Sequence, residues 1–310
     1  NLTSTWKDID RALGSYFTWG IQTDGSLWAV GSTSVFTKSN SFIRIGTSNN
    51  WNSLSGGFAL KNDGTLWVVG KSVIYDVKPV TYGSLTNLNV FNNVLTQVGT
   101  DTDWESVSDG GDHHMAIKTD GTMWGRGLAI VPLLTYLNTG NSLGLGDDRG
   151  AADPYQLWFI SAWFFAGEYA IAGSMTYKGY ILDFVKIGSD EDWKYVTCGF
   201  NVTYAIKDNG TLWATGWPIG TGGLDSACYG FPSPLFVFTQ IGTDTDWFSV
   251  CIHSRGVYGI KTDGTLWAAG TDFNSIYHAT FSQVGTDTDW ESIVVYGYST
   301  SAIKNGTLCV

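Results

Sequence analysis

The sequence predicts an all-β fold, a seven-bladed β-propeller with four antiparallel strands in each blade. Three observations carry that expectation. The run Gly-Thr-Asp-Thr-Asp-Trp ends at Trp104, Trp247 and Trp290, and its variant Gly-Ser-Asp-Glu-Asp-Trp ends at Trp193. A second run, Ile-Lys-Thr-Asp-Gly-Thr followed by Met or Leu and Trp, ends at Trp124 and Trp267, with relatives at Trp28, Trp67 and Trp213. Aromatic residues make up 15% of the 310 residues and charged residues only 15%, with 39 glycines, a turn-rich all-β composition. Recurrence at a period of about 44 residues marks a repeat architecture, in which no unit buries its faces alone.

The repeats fall in order at Trp6, Trp51, Trp104, Trp158, Trp193, Trp247 and Trp290. Trp104 to Ala116, Trp158 to Ala170, Trp193 to Ala205, Trp247 to Gly259 and Trp290 to Ala302 are each twelve residues. The fourth unit is degenerate, because Ala172 to Gly179 has lost the Asp-Gly word. One domain over 1–310 follows. Within a unit, Trp104 to Val107 reads as the first strand and Met115 to Thr119 as the second. Asp120-Gly121 is a tight turn suited to positive φ, and Thr122 to Trp124 opens a third strand. An outer fourth strand is expected at Phe42–Ile45, Leu95–Val98, Phe238–Ile241 and Phe281–Val284. The sequence stops within a third strand at Val310, so the last blade lacks its outer strand or the chain belongs to something longer or assembled.

Chain order then sorts the connections. Second-to-third turns (Asp24, Asp63, Asp120, Asp263) and blade-to-blade crossings (Asp101, Asp103, Asp190, Asp192, Asp244, Asp246, Asp287, Asp289) belong on one acidic, regular face. Length variation, at 71–94, 128–153 and 217–237, belongs on the other. The crossing acids are read as caps for backbone amides rather than as calcium ligands, whose spacing is denser.

Composition excludes several classes. A formal charge of −11 opposes binding to nucleic acid or to anionic membranes, and no apolar run is long enough for membrane insertion. The four cysteines show no CxxC or paired spacing, so they are read as thiols. His113, His114, His253 and His278 form no HxxxH or HExxH pair, and no nucleophile motif or phosphate-binding glycine loop occurs. No catalytic, cofactor or metal residue is assigned, and the chain reads as non-enzymatic.

The words around Trp104 to Trp124 and Trp247 to Trp267, with Asn141-Ser142-Leu143-Gly144-Leu145-Gly146-Asp147 after the third repeat, resemble the regulator of chromosome condensation repeat family. The resemblance spans essentially the whole chain and implies the seven-bladed propeller. That family includes a guanine-nucleotide exchange factor, a β-lactamase inhibitor protein and many bacterial and phage proteins. The Thr-Asp-Thr-Asp-Trp wording is closest in style to bacterial and phage members.

The variable face supplies the candidate binding residues. Tyr75, Tyr82 and Phe91 lie in the first insertion, Tyr136 and Arg149 in the second, and Trp217, Tyr229 and Phe231 in the third. Phe273 and Tyr277 lie in a shorter sixth-blade loop, and His113 and His114 in a loop between first and second strands. Aromatic residues on loops of a rigid scaffold suit recognition of a protein, or of a glycan, as well as cover for their own blades. The favoured expectation is a protein-binding or structural propeller in a larger assembly, on a virion or an extracellular surface. The alternatives are a guanine-nucleotide-exchange-like regulator of a small GTPase and a glycan-binding module.

Overall fold

The computed structural model describes residues 5–11, 16–32, 39–70, 92–110, 113–128, 175–176, 180–199, 202–216, 235–253, 256–272, 275–296 and 299–309. Strands and tight turns account for their regular structure, and none of them is helical. The chain divides into two compact units, Asn1–Ala129 with Ala170–Ser189, and Ile130–Tyr169 with Asp190–Val310.

The first unit holds three sheets. In the first, β1 (Trp6–Arg11), β2 (Tyr16–Gln22), β3 (Leu27–Ser32) and β4 (Ser39–Arg44) lie in chain order. The next repeats this with β5 (Trp51–Ser55), β6 (Phe58–Lys61), β7 (Leu66–Gly70) and β8 (Asn92–Gln97). The third contains β9 (Trp104–Asp109), β10 (His113–Lys118) and β11 (Met123–Leu128), with β12 (Met175–Thr176) and β13 (Tyr180–Ile187) added in the order β12-β13-β11-β10-β9.

In the second unit, one sheet is β14 (Trp193–Cys198), β15 (Val202–Lys207), β16 (Leu212–Gly216) and β17 (Leu235–Gln240). Another is β18 (Trp247–His253), β19 (Gly256–Lys261), β20 (Leu266–Thr271) and β21 (Tyr277–Gln283). The last is β22 (Trp290–Tyr296), β23 (Ser299–Lys304) and β24 (Thr307–Cys309), three-stranded among the described residues. All pairings are antiparallel, and these sheets are the blades of the expected all-β propeller.

One stretch departs from the sequence reading. Trp158, Trp163, Phe164 and Phe165 lie outside the described residues. Met175–Thr176 and Tyr180–Ile187, expected with the fourth repeat, belong to the third sheet, where β13 pairs with β11 from Met123↔Ile187 to Leu128↔Tyr180. Phe184 meets the Trp104 ring at 5.1 Å and Ile187 is buried, the contacts that seat an outer strand elsewhere in the chain.

Two regularities explain why the repeat words are kept. The ladder between first and second strands slips by one residue just after the leading Trp in every sheet, at Trp6/Asp8, Trp51/Ser53, Trp193/Tyr195, Trp247/Ser249 and Trp290/Ser292, and opposite Ile117/Lys118 in the third. A β-bulge adds twist and re-aims the next side chain, so the Trp turns into the core while Lys7, Glu105, Lys194, Phe248 and Glu291 face solvent. The second strands are covered on both faces: β10, β15 and β19 are buried at all six positions. Their apolar residues join leading tryptophans in continuous clusters, such as Phe58, Leu60, Leu66, Trp104 and Ala116, or Val202, Tyr204, Ile206, Trp247 and Val250. Each fully buried large side chain of this kind contributes about 2–3 kcal/mol of gross transfer free energy.

Candidate functional site

Within each unit the turns and crossings lie together, and they grip each other. The Gly25 carbonyl accepts from Trp51 N, Gly64 from Trp104 N, Gly210 from Trp247 N and Gly264 from Trp290 N, each at 3.1 Å. Each of these four turns therefore clasps the entry to the next sheet of its unit. Inside the turn, Asp263 Oδ1 accepts from Thr265 N at 3.0 Å and Thr265 Oγ1 at 2.6 Å, and Thr265 Oγ1 accepts from Trp267 Nε1 at 2.8 Å. Asp24, Asp63, Asp120 and Asn209 repeat the arrangement. Hydrogen bonds from the Ser or Thr two residues on hold the carboxyls of Asp24, Asp63, Asp120 and Asp263 below their ordinary range.

The crossing acids do something the sequence reading missed. They face the lysine that ends the second strand instead of capping amides. Lys118 Nζ lies 2.8 Å from Asp101 and 3.0 Å from Asp103, Lys207 2.6 and 3.0 Å from Asp190 and Asp192, and Lys261 2.8 and 3.1 Å from Asp244 and Asp246. The same ammonium sits against both tryptophans of its blade, at 4.8 and 4.5 Å for Lys118 and at 5.2 and 4.2 Å for Lys261. Those two rings meet edge to face at 5.9 Å (Trp104–Trp124) and 6.3 Å (Trp247–Trp267). One side chain thus ties the crossing, the first strand and the third strand together.

Burial opposes the charge on Lys118, Lys207 and Lys261, but two carboxylates each outweigh it and hold these ammoniums above their usual range. A raised lysine contributes its stability fully below pH 10.5 and loses it as pH rises through the higher folded value. Lys261→Met is expected to lower stability by about 1–3 kcal/mol: the carboxylates are half exposed, which weakens the pair, while the buried ammonium also leaves two rings. Urea unfolding of Lys261→Met, Asp244→Asn and the double variant measures this. A coupling energy indistinguishable from zero removes the clamp.

Each clamp leaves one carboxylate uncompensated, so each of these crossings is acidic. Among the described residues, no group of three or more His, Cys, Asp and Glu is placed to hold a metal ion. Cys198 and Cys251 carry thiols.

On the insertion side, Tyr75, Tyr82, Phe91, Tyr136, Arg149, Trp217, Tyr229, Phe231 and Phe273 lie outside the described residues. Tyr277 is half exposed at the start of β21, and Ile276 beside it is 55% exposed. They crown a turn built on Asp272, which is buried: its Oδ1 accepts from Ile276 N at 2.8 Å, and its Oδ2 lies 3.1 Å from His278 Nε2. Asp272 N donates to the Ile276 carbonyl, and Ser275 takes φ +63°. Asp272, His278 and Ile276 were not singled out from sequence. An Asp shortly after the third-strand Gly, with a His six residues on, was the available signal.

His113 and His114 are corrected. They begin β10 rather than occupying an exposed loop, and both are buried. A second strand is sandwiched along its whole length, so polar residues there go inside and take partners. His114 Nδ1 lies 3.0 Å from Asp109 Oδ1, and its ring meets Phe58 edge-on at 4.8 Å. Asp109 Oδ2 accepts from Gly57 N at 3.0 Å, and Arg126 lies over Phe58 and Phe184. Burial, then the neighbouring His114, pushes the His113 imidazole down to about 3. This cluster joins adjacent blades of the first unit and is not a surface contact.

No protein-family model and no curated protein sequence matches the chain. Solved structures do match its fold. Human WBSCR16 superposes with a TM-score of 0.63 at 11% identity, over 98% of this chain and 75% of that one. Prp20p of Saccharomyces cerevisiae, a protein described with its binding properties to Gsp1p and histones, gives 0.57 at 13% identity, over 95% and 69%. Yeast RCC1 (Prp20) in a structure with Kap60 bound gives 0.58 at 12% identity, over 94% and 67%. At such identities the likeness shows the fold, an RCC1-like β-propeller. These proteins come from yeast and human, so the bacterial or phage affinity read from the wording finds no support among them.

Proposed function

We propose that this propeller is a protein-binding module that regulates a small GTPase without catalysing bond chemistry of its own. The supporting observation is the fold likeness to Prp20p, which binds Gsp1p and histones, joined to repeat words that resemble a family containing a guanine-nucleotide exchange factor. A virion or cell-surface role has no comparable support in these comparisons.

The physical requirement for such a regulator is modest. It needs a rigid surface that binds the nucleotide-free GTPase more tightly than the nucleotide-bound one, because linkage then obliges it to weaken nucleotide binding by the same factor. The blades described above are rigidified by their turn-to-crossing clasps and lysine clamps, and loops carried on such a scaffold keep their positions. The chain's net charge of −11 and its acidic crossings favour a partner surface that is basic.

The test is release of a fluorescent guanine nucleotide from a panel of small GTPases of the source organism, with this chain at stoichiometric amounts. At least one GTPase is expected to release nucleotide tenfold faster or more and to form a stable nucleotide-free complex. If none is accelerated and none co-elutes, the regulator reading is abandoned.

A further inference from the structure

Asn-Gly occurs twice in the chain, at Asn209-Gly210 and Asn305-Gly306, and Thr follows in both. The pair has a chemistry of its own. The glycine nitrogen can reach back to the Asn side-chain carbonyl, because no Cβ on the following residue obstructs the approach. By sequence the two sites are equivalent, but the structure separates them.

Asn209 takes the place that Asp24, Asp63, Asp120 and Asp263 hold in the other turns of its kind. Its Oδ1 accepts from Thr211 N at 3.0 Å and from Thr211 Oγ1 at 2.6 Å. The Gly210 amide donates to the Lys207 carbonyl at 2.8 Å, and the Gly210 carbonyl accepts from Trp247 N. Both groups that would react are tied down. The turn after β23 is one residue shorter, because Lys304 pairs with Thr307 directly across Asn305 and Gly306. Their φ values of +48° and +67° suit a two-residue type I′ turn. None of the side-chain bonds that hold Asn209 recurs at Asn305 among the described residues, and the Gly306 amide donates to Glu291 Oε1 at 2.8 Å. Asn305 is exposed, but so are Asn209 and Asp263, whose turns are clasped by a following sheet, so exposure belongs to this position of the turn.

We propose that Asn305-Gly306 is a self-modifying site, at which Glu291 acts as general base in the conversion of Asn305 to aspartate and isoaspartate. A base must lie within about 2.6–3.2 Å of the atom whose proton it takes, and Glu291 meets that requirement. The Gly306 nitrogen bonds to Asn305 Cγ. Its proton passes to the Glu291 carboxylate and from there to the departing side-chain nitrogen, and ammonia leaves as a succinimide ring closes. Water then opens the ring at either carbonyl. One opening leaves the main chain as it was, with a new carboxylate in the turn that Glu291 faces. The other adds a methylene to the main chain, which a two-residue turn cannot absorb while Lys304 and Thr307 stay paired. Asn305 N donates to the Asp289 carbonyl at 3.1 Å, so the lengthened turn also disturbs the crossing that leads into β22. This site is independent of the GTPase reading, since it concerns the chain's own covalent structure.

The test incubates the intact chain at neutral pH and follows both sites by peptide mass mapping, each conversion adding about 1 Da, with isoaspartate scored by enzymatic methylation. Asn305 is expected to convert about tenfold faster than Asn209, or more, and Glu291→Gln to slow Asn305 by about tenfold while leaving Asn209 unchanged. An unchanged rate at Asn209 also shows that the variant keeps its fold. In concentrated urea, where neither turn is held, the two sites should convert at similar rates. The proposal falls if the folded chain converts both sites equally or neither of them, or if Glu291→Gln leaves Asn305 as fast as before. It also falls if the preference for Asn305 survives in urea, where local sequence alone would be its cause.

Discussion

Gly264→Ala should destabilise the second unit by about 2–5 kcal/mol, while Gly242→Ala, only 22 residues earlier in the chain, should cost about 1–2 kcal/mol. Both glycines are left-handed, at φ +79° and +69°, so both variants bear the same backbone penalty. They differ in what a methyl group would meet. At Gly264 an added Cβ would sit 2.1 Å from the Thr288 carbonyl oxygen of the next crossing, whereas at Gly242 nothing lies within 4 Å. The obstruction is backbone, held by the bond from Trp290 N to the Gly264 carbonyl, so it cannot swing aside as a flexible side chain would. Gly64 and Gly210 face the same 2.1 Å approach, from Thr102 and Thr245, and should behave alike. Urea unfolding midpoints of the two alanine variants decide the matter. Equal losses would mean that the turn does not clasp the crossing at all.

The same clasp shows how much of this molecule was legible beforehand. Propensity and spacing located Asp263-Gly264 as a turn and Thr288-Asp289-Trp290 as a crossing, because each is written in local words. Chain order alone put them on one face. Their pairing across blades is a tertiary fact, and so is the clamp by Lys261. The sequence displays Ile-Lys-Thr-Asp-Gly around Lys118 and Lys261 and variants of it around Lys61, Lys207 and Lys304, yet nothing local says that Lys261 turns back seventeen residues to Asp244. The acids were consequently assigned to backbone amides, a role that the turn residues Asp24, Asp63, Asp120 and Asp263 fill instead.

Period counting misplaced one strand where the repeat words thin out. Between Leu128 and Tyr180 the words no longer set register. The identity of Tyr180–Ile187 as a strand of the third sheet rests on Phe184 reaching Trp104 and on the ladder to β11. The candidate surface was the least legible part. Most of its residues lie outside the described segments, and His113-His114, preceded by Asp-Gly-Gly-Asp, had the composition of a loop. Strands covered on both faces lose the alternation that separates inside from outside, so two histidines could enter β10 without breaking any visible pattern.

Those buried histidines lead to the second large effect, acid sensitivity. His113 is fully enclosed, and its imidazole titrates at about 3 in the folded chain against 6.5 for an ordinary histidine. The folded value is the lower one, so the unfolded chain takes up a proton first. Stability from this residue is complete above pH 6.5 and drains away as pH falls toward 3. From pH 7 to pH 4 the loss is about 3 kcal/mol, at roughly 1.4 kcal/mol for each pH unit below 6.5. Asp109, near enough to favour the charged ring, only partly offsets burial and the adjoining His114. The comparison variant is His113→Val, since Val202 fills the corresponding place in β15 and is likewise buried. Every carboxylate that titrates in this range is common to both proteins and cancels in the difference. The gap between their unfolding free energies should therefore shift by about 3 kcal/mol in the variant's favour between pH 7 and pH 4. Parallel stability profiles over that range would show that the ring takes its proton inside the fold, and the blade contact through Asp109, His114 and Phe58 would then have to open to admit it.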